Sequence, residues 1–419
     1  MAKSILYSGH GSSSAPSVGK SLTRYFHCGD SGLIVEITET YLKVPYYSTG
    51  TFSNLYIRVI TNSFDGDDGN IVFKLRVNSA DPSSGPLINI PAATTGEFED
   101  TTNTVSISSG DYINYCMVTP SSILPSPTIT FRVMNVSFDV SSNTIVRHVA
   151  VDSFSENSVT RYTALAGPYS GDGTEVNRQF NMKASGTLKN LYLYVTSNTA
   201  VSSNDFRIRK NAANGNSLIT VATLTTGAFE DVTNTDSIAV DDDANYSVTY
   251  NSASGSIIFS TLASEFVTTT GEFHSICNGS SYTLSGFIVR YATIGGGGTS
   301  HISNQTHARG ENNSDEKSIA SLYTYVSANT SNNTPNYISV NQEAVIVVQI
   351  IIPTTTTGSF EWTGDVTFYP NLDYNYAMQC AAAGKSMTFT IWGIKLQLFQ
   401  QTFFDHHQHV DKHEEALAY

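Results

Sequence analysis

One stretch of this chain occurs twice almost verbatim, and that repetition constrains the fold more than any other feature. Thr94–Ile107 reads TTGEFEDTTNTVSI and Thr225–Ile238 reads TTGAFEDVTNTDSI, with eleven of fourteen positions identical at a spacing of 131 residues. A third, eroded copy, TTGSFEWT, begins at Thr356. The pieces suit a strand-to-strand crossing. Gly96, Gly227 and Gly358 permit a turn closed to bulkier residues. Phe98, Phe229 and Phe360 are expected as buried plugs of a sandwich. After Asp100 and Asp231, the Thr-Asn-Thr segments supply side chains that hydrogen-bond their own backbone in a loop. Strict alternation follows, placing Val105, Ile107, Ile113, Tyr115 and Met117 on one face of successive strands.

Other segments recur in step with this one. Arg24-Tyr25, Arg161-Tyr162 and Arg290-Tyr291 each open a unit. Strands of one design follow: GTFSNLYIRV at 50–59, GTLKNLYLYV at 186–195, and LYTYVSANT at 322–330, which matches 191–199. Phe73–Asn78 and Phe206–Asn211 alternate charged with apolar residues, as half-exposed strands do. Asp111–Tyr115, Asp242–Tyr246 and a shortened Asp373–Tyr376 correspond, and each unit closes on an apolar strand (129–138, 256–260, 387–399). A period near 130 residues is too long for a solenoid repeat and suits a whole domain. Helical periodicity is nearly absent, and short strands separated by Gly/Asn/Asp/Ser turns imply an all-β chain of three tandem jelly-roll β-sandwich modules. The markers set bounds of 24–160, 161–289 and 290–400, with a flexible N-terminal arm at 1–23 and a His-rich C-terminal tail at 401–419. Gly295–Gly298 and the polar stretch after it read as a surface loop inside the third module.

Composition narrows the function classes. Only 14% of residues are charged and 11% are aromatic, which opposes disorder. The net charge of −14, without a basic patch carrying interleaved aromatics, excludes nucleic acid as an expected direct partner. The N-terminal sequence lacks an apolar core of signal-peptide length. The most apolar run, Ala344–Ile352, is too short to cross a bilayer and reads as a buried strand, so no membrane insertion is expected. Cys28, Cys116, Cys277 and Cys380 show no metal-ligand spacing and no dense disulfide framework. Synthesis in a cytoplasm is the expected setting.

Candidate sites are few. Gly19-Lys20-Ser21 has the end of a phosphate-binding loop, but Ser14 stands where that loop needs glycine. Asp65–Asn70 (DGDDGN) packs oxygen ligands and glycines as some calcium loops do, without the distal bidentate Glu; an exposed turn is the plainer reading. In the tail, His409 and His413 would share a helix face, and His407 and His409 a strand face, spacings able to hold a transition metal. A solvated, pH-sensitive tail is the plainer reading there. No cofactor is otherwise expected. Glu99-Asp100 and Glu230-Asp231 are adjacent carboxylates that a strand points to opposite faces, so neither pair can flank one scissile bond. No nucleophile elbow or zinc-protease motif occurs, and the chain reads as a non-enzyme. Tyr192, Tyr194, Tyr323 and Tyr325 recur on equivalent strands and are the candidate surface for a glycan or a protein interface, against the alternative of core packing.

The combination of GTFSNLYIRV-type strands, the TGxFxD crossing and the closing Gly-Asp hairpin resembles virion surface proteins of tailed bacteriophages and related environmental viruses. The resemblance covers 50–138 and 186–266 well. It covers the third module loosely, since Trp362 replaces the Asp of Phe-Glu-Asp. It implies a jelly-roll structural protein on a particle, as capsid decoration, head fibre or tail component, assembled in a host cytoplasm. Other virion proteins are the expected partners, with host glycans beside them, and self-association as a trimer is expected because it would bury sandwich faces that a monomer leaves wet. Two other readings stand beside it: a carbohydrate-binding or adhesive protein, and a subunit of an extracellular filament.

Overall fold

A computed structural model describes residues 2–9, 17–32, 35–140, 144–154, 159–168, 171–268, 270–285, 288–292, 310–311, 317–332, 336–343, 345–369, 372–380 and 384–398. The described residues hold strands and two single 3₁₀ turns, with no α-helix and hence no helix able to cross a membrane. The first module contains β1 (Ala2–Gly9), β2 (Ser17–Gly19), β3 (Thr23–His27), β4 (Asp30–Gly32), β5 (Val44–Tyr46), β6 (Gly50–Asn62), β7 (Ile71–Val77), β8 (Leu87–Ile90), β9 (Gly96–Asp100), β10 (Val105–Ile107), β11 (Asp111–Val118) and β12 (Thr128–Val140). The second contains β13 (Thr144–Phe154), β14 (Thr160–Thr163), β15 (Gly167–Pro168), β16 (Phe180–Asn181), β17 (Gly186–Asn198), β18 (Asn204–Lys210), β19 (Ala213–Val221), β20 (Gly227–Ile238), β21 (Asp243–Tyr250) and β22 (Ile257–Thr268). The third contains β23 (Glu272–Ser285), β24 (Ile288–Ala292), β25 (Gly310–Glu311), β26 (Lys317–Asn329), β27 (Asn336–Gln342), β28 (Val345–Ile352), β29 (Gly358–Phe368), β30 (Asp373–Cys380) and β31 (Ser386–Leu398).

Pairing turns each set into a jelly roll. In the second module β13-β22-β17-β20 form one sheet and β14-β21-β18-β19 the other. The third repeats the order as β23-β31-β26-β29 and β24-β30-β27-β28. The first does so with β1-β12-β6 followed by β9 and β10, and with β3-β11-β7-β8. First strand beside last, two antiparallel sheets, and edges formed by strands distant in sequence are the jelly-roll connectivity. Inward positions alternate along each strand, as in β7 with Ile71, Phe73 and Leu75 buried and β18 with Phe206 and Ile208 buried.

This pairing corrects the expected boundaries. The segment read as a flexible arm at 1–23 supplies β1, which runs antiparallel to β12 with Leu6 opposite Val136 and fully buried. Its equivalents, β13 and β23, pair with β22 and β31. Strands assigned from the markers to the ends of modules one and two therefore open modules two and three. The units run from about 2 to 140, 144 to 268, and 272 to 398. The Lys20 ammonium donates to the carbonyls of Ser122 and Leu124, a structural tie within module one.

The three modules close on one another. Their opening strands β1, β13 and β23 pack together pairwise. β4 runs parallel to both β1 and β13, and β15 runs parallel to β13 and packs on β23. The edge of module one formed by β5 and β11 meets the β22 sheet of module two, with Val44 against Val149 and Ala263 and Tyr112 against Tyr192. The β16 edge of module two leans on the β31 sheet of module three through Phe180 against Gly393, and β25 of module three packs on β12 of module one. One buried cluster runs continuously through modules one and three.

Candidate functional site

The repeated crossing motif holds a buried carboxylate. Asp231 Oδ2 accepts the Leu218 N–H at 2.9 Å, which ties β20 to the edge strand β19. Its Oδ1 accepts the N–H groups of Thr233 (3.2 Å) and Asn234 (3.1 Å) and the Thr233 hydroxyl (3.1 Å), and the Asn234 amide reaches both oxygens. Asp100 repeats the pattern with Leu87, Thr102 and Asn103. Burial alone would raise these acids, but the converging donors outweigh it: Asp231 is held down at about 2 and Asp100 is lowered likewise. The expected roles within the motif are thus exchanged. Phe98, Phe229 and Phe360 are half-buried rather than plugs, and the carboxylate is the enclosed member. Gly96, Gly227 and Gly358 have φ between +105° and +113° with open space where a Cβ would stand, so conformation and not crowding requires glycine. In module three Trp362 occupies the Asp position, half-buried against the core.

The tyrosines singled out on β17 and β26 lie in the seams between modules. Tyr192 is buried and its ring meets Tyr112 of module one at 6.2 Å, while Tyr194 meets Tyr41 at 5.7 Å. Tyr323 is buried against Phe180 of module two at 5.5 Å, and Tyr325 packs half-buried against the same cluster. The four residues therefore form no exposed sugar platform. They are interface residues, inside one chain.

The two described seams repeat one geometry. In the first, Val44 packs on Val149 and Ala263; in the second, Phe180 packs on Ile276 and Gly393. A Cβ at Gly393 would stand 2.7 Å from Phe180, so only glycine admits the ring. The Tyr47 N–H donates to Glu265 Oε1 at 2.8 Å, and Asn190 donates to Oε2 of the same fully buried carboxylate. At the matching place the Lys183 N–H donates to His274 Nε2 at 2.8 Å. Ser260 and Thr261 donate to the Tyr41 carbonyl, and His27 Nε2 lies 2.7 Å from Thr261 Oγ1. The second acid of the motif faces these seams: Glu230 accepts the Tyr112 hydroxyl at 3.1 Å, and Glu361 accepts Lys183 Nζ at 2.6 Å.

Three buried imidazoles, His27, His148 and His274, thus sit where the modules meet, and none of these positions was singled out by sequence, where an isolated histidine carries no pattern. Burial lowers His27 to about 3 and, with the neighbouring His148, Lys395 and Lys183, lowers His274 well below its usual value. Lys183 is raised: burial opposes its charge, but hydrogen bonds to Asp241 and Glu361 prevail.

Asp65–Asn70 forms a self-bonded turn in which the Asp65 and Asp67 N–H groups donate to Asp68 and Asp65 carboxylates. Among the described residues no three His, Cys, Asp or Glu side chains converge as metal ligands, and Cys28, Cys116 and Cys380 are buried free thiols. His407, His409 and His413 lie outside the described residues.

No protein-family model matches the chain, and no curated protein does. Among solved structures it is similar to the protein described under the triple jelly-roll fold and turret assembly of an archaeal virus, at 13% identity and TM-score 0.19, over 94% of this chain and 90% of that one. It is also similar to a chain of Sulfolobus turreted icosahedral virus, at 14% identity and TM-score 0.19, over 94% and 92%. A third is dimeric latent PorU of Porphyromonas gingivalis, at 8% identity and TM-score 0.23, over 81% of this chain and 33% of that one. The two viral chains come from archaeal viruses and not from a tailed bacteriophage. With likenesses this distant, the jelly-roll assignment rests on strand order.

Proposed function

We propose that this chain is a non-enzymatic structural protein of a virion, exposed on the particle as a decoration, fibre or tail component. The carrying observation is the closed set of three complete jelly rolls whose equivalent positions are spent on seams: Tyr192 and Tyr323, Glu230 and Glu361, Val44 and Phe180. Among the described residues, those held in common across modules serve folding and module docking. A trimer was expected in order to cover sandwich faces that a monomer leaves wet. Within this chain neighbouring modules cover part of that surface, over Tyr192 and Tyr323, and the outer surfaces remain for attachment to capsid or tail proteins and to further copies of the chain. The carbohydrate-binding reading loses its four aromatics to the seams.

An antibody against the purified chain tests the proposal on density-banded particles from the sample that encodes it. Co-banding with nucleic-acid-containing particles and labelling of their surface are expected. Recovery solely in the soluble cell fraction would refute the virion role.

A further inference from the structure

The two described seams differ in what receives an equivalent backbone N–H. Between modules one and two the Tyr47 N–H donates to the Glu265 carboxylate; between modules two and three the Lys183 N–H donates to His274 Nε2, at 2.8 Å. A carboxyl group keeps an oxygen to accept whether or not it is protonated, whereas an imidazole accepts at Nε2 only while that nitrogen carries no proton. The Lys183 bond therefore fixes His274 as the neutral ring with its proton on Nδ1, and among the described residues no acceptor faces that proton. The ring is fully buried on β23 of module three, with the rings of Phe180 at 5.3 Å and Phe266 at 5.6 Å beside it, both from module two. The charges around it oppose a second proton. Lys183, Lys395 on β31 and His148 on β13 each repel positive charge there. The nearby carboxylates are engaged by the lysines: Glu272, on the same strand as His274, accepts Lys395 Nζ at 3.0 Å, and Glu361 and Asp241 accept Lys183 Nζ at 2.6 and 2.8 Å. Lys183 Nζ also lies over the Tyr323 ring, and Asp30 of β4 stands opposite His148 in register.

We infer that His274 is an acid-operated latch: a proton on Nε2 turns the acceptor into a donor facing the Lys183 N–H, and modules two and three part at this seam while each jelly roll stays folded. The sandwich of module three survives because His274 lies outside its core. Gly393 and Lys395, the residues of β31 that share the face of His274, alternate with Ile394 and Leu396, which fill that core. Parting uncovers Phe180 and Tyr323, which meet across the seam. The direction with pH follows from burial. In the open seam His274 is an ordinary imidazole of pKa about 6.5. In the closed seam burial and the neighbouring cations hold it well below that value. The latch is therefore fully closed above about pH 6.5, and the opening equilibrium grows about tenfold for each pH unit below it, until the closed ring also takes up a proton. At about pH 4.5 the opening constant is roughly 100-fold larger than at neutral pH. The inference concerns one seam and does not depend on the virion role.

Residue-resolved amide exchange on the full chain, from about pH 7 to about pH 4.5, tests it. Corrected for intrinsic exchange, protection of the Lys183 amide should fall roughly 100-fold over that range, while the core amides of Leu193 and Phe206 keep theirs. His274→Gln retains an acceptor that does not titrate, and should hold Lys183 protected at every pH. Nitrogen shifts of the His274 ring give a readout that needs no variant: the Nδ1–H tautomer at neutral pH, with no second proton ahead of the loss of Lys183 protection. Protection at Lys183 that is independent of pH overturns the inference. So does a fall that His274→Gln reproduces, a fall shared equally by Leu193 and Phe206, or a ring that protonates near its ordinary pKa while Lys183 stays protected. Should the variant not fold, the parent's contrast between Lys183 and the core amides decides. Particle labelling by the antibody remains a separate readout, so either conclusion can fail without the other.

Discussion

Replacing Asp231 with asparagine changes one atom and tests the logic of the repeated motif. The native carboxylate accepts two side-chain donors and three backbone N–H groups, from Leu218, Thr233 and Asn234. Its pKa of about 2, against an ordinary 3.8, corresponds to roughly 2.4 kcal/mol in favour of the ionised fold. An amide leaves one oxygen to accept and turns a donor towards N–H groups that are already donors. A backbone group left unsatisfied there costs about 1–3 kcal/mol. We expect Asp231→Asn to lose roughly 2–4 kcal/mol at neutral pH. In a module of this size that lowers the melting temperature by roughly 8–15 °C. The sign with pH follows from the depressed pKa: the carboxylate's contribution is fully present above about 3.8 and is lost as pH falls through about 2. The gap between parent and variant should therefore hold at pH 7 and pH 5 and shrink below pH 4. Calorimetry measures the gap, and amide exchange at Leu218, Thr233 and Asn234 locates it. A loss under about 0.5 kcal/mol, or a gap unchanged at pH 2.5, would refute the reasoning.

Acid should also weaken the seams. His27, held near 3 when folded and near 6.5 when unfolded, contributes stability that is present above pH 6.5 and declines as pH falls, by about 2 kcal/mol at pH 5. His27→Gln should flatten the dependence of melting temperature on pH between 6.5 and 4; an unchanged slope would remove His27 from the account. Gly393→Ala drives a methyl into Phe180 and the Ser275 carbonyl, and overpacking of this kind costs about 1–3 kcal/mol. Limited proteolysis should then cut between modules two and three sooner than in the parent, and equal cutting rates would contradict the seam. Glu361→Gln removes the charge that meets Lys183 beside a half-exposed rim, for an expected loss of about 1–2 kcal/mol. That loss should shrink in high salt, and a salt-independent loss would point to packing instead.

Within the site, legibility followed chemistry. Gly96, Gly227 and Gly358 stood out because a positive φ leaves a strict residue preference at one position. The enclosure of Asp231 was partly legible, since Asp followed by Thr-Asn signals a self-bonding loop, but the strand that it also ties, through Leu218, comes from another part of the chain. The burial of Tyr192 and Tyr323 was hidden. A tyrosine alternating along a strand looks the same whether water or another module lies over it, and here Tyr112 and Phe180 cover them.

By itself the sequence determined that this protein is built of strands, that a unit of about 130 residues occurs three times, and that the unit is a sandwich. Alternation, turn residues and repetition are local or periodic signals and need no knowledge of partners. Where a unit begins was a different matter. A tandem repeat has no phase of its own, and cutting it at Arg24, Arg161 and Arg290 is as consistent as any other cut. Only pairing decides, and the first strand of each unit pairs with its last, more than a hundred residues away, as Leu6 does with Val136 and Val149 with Ala263. The closure of the three units on one another belongs to the tertiary structure for the same reason. It depends on whether the edge of one sandwich fits the face of the next, a complementarity written in both surfaces and visible only when they meet.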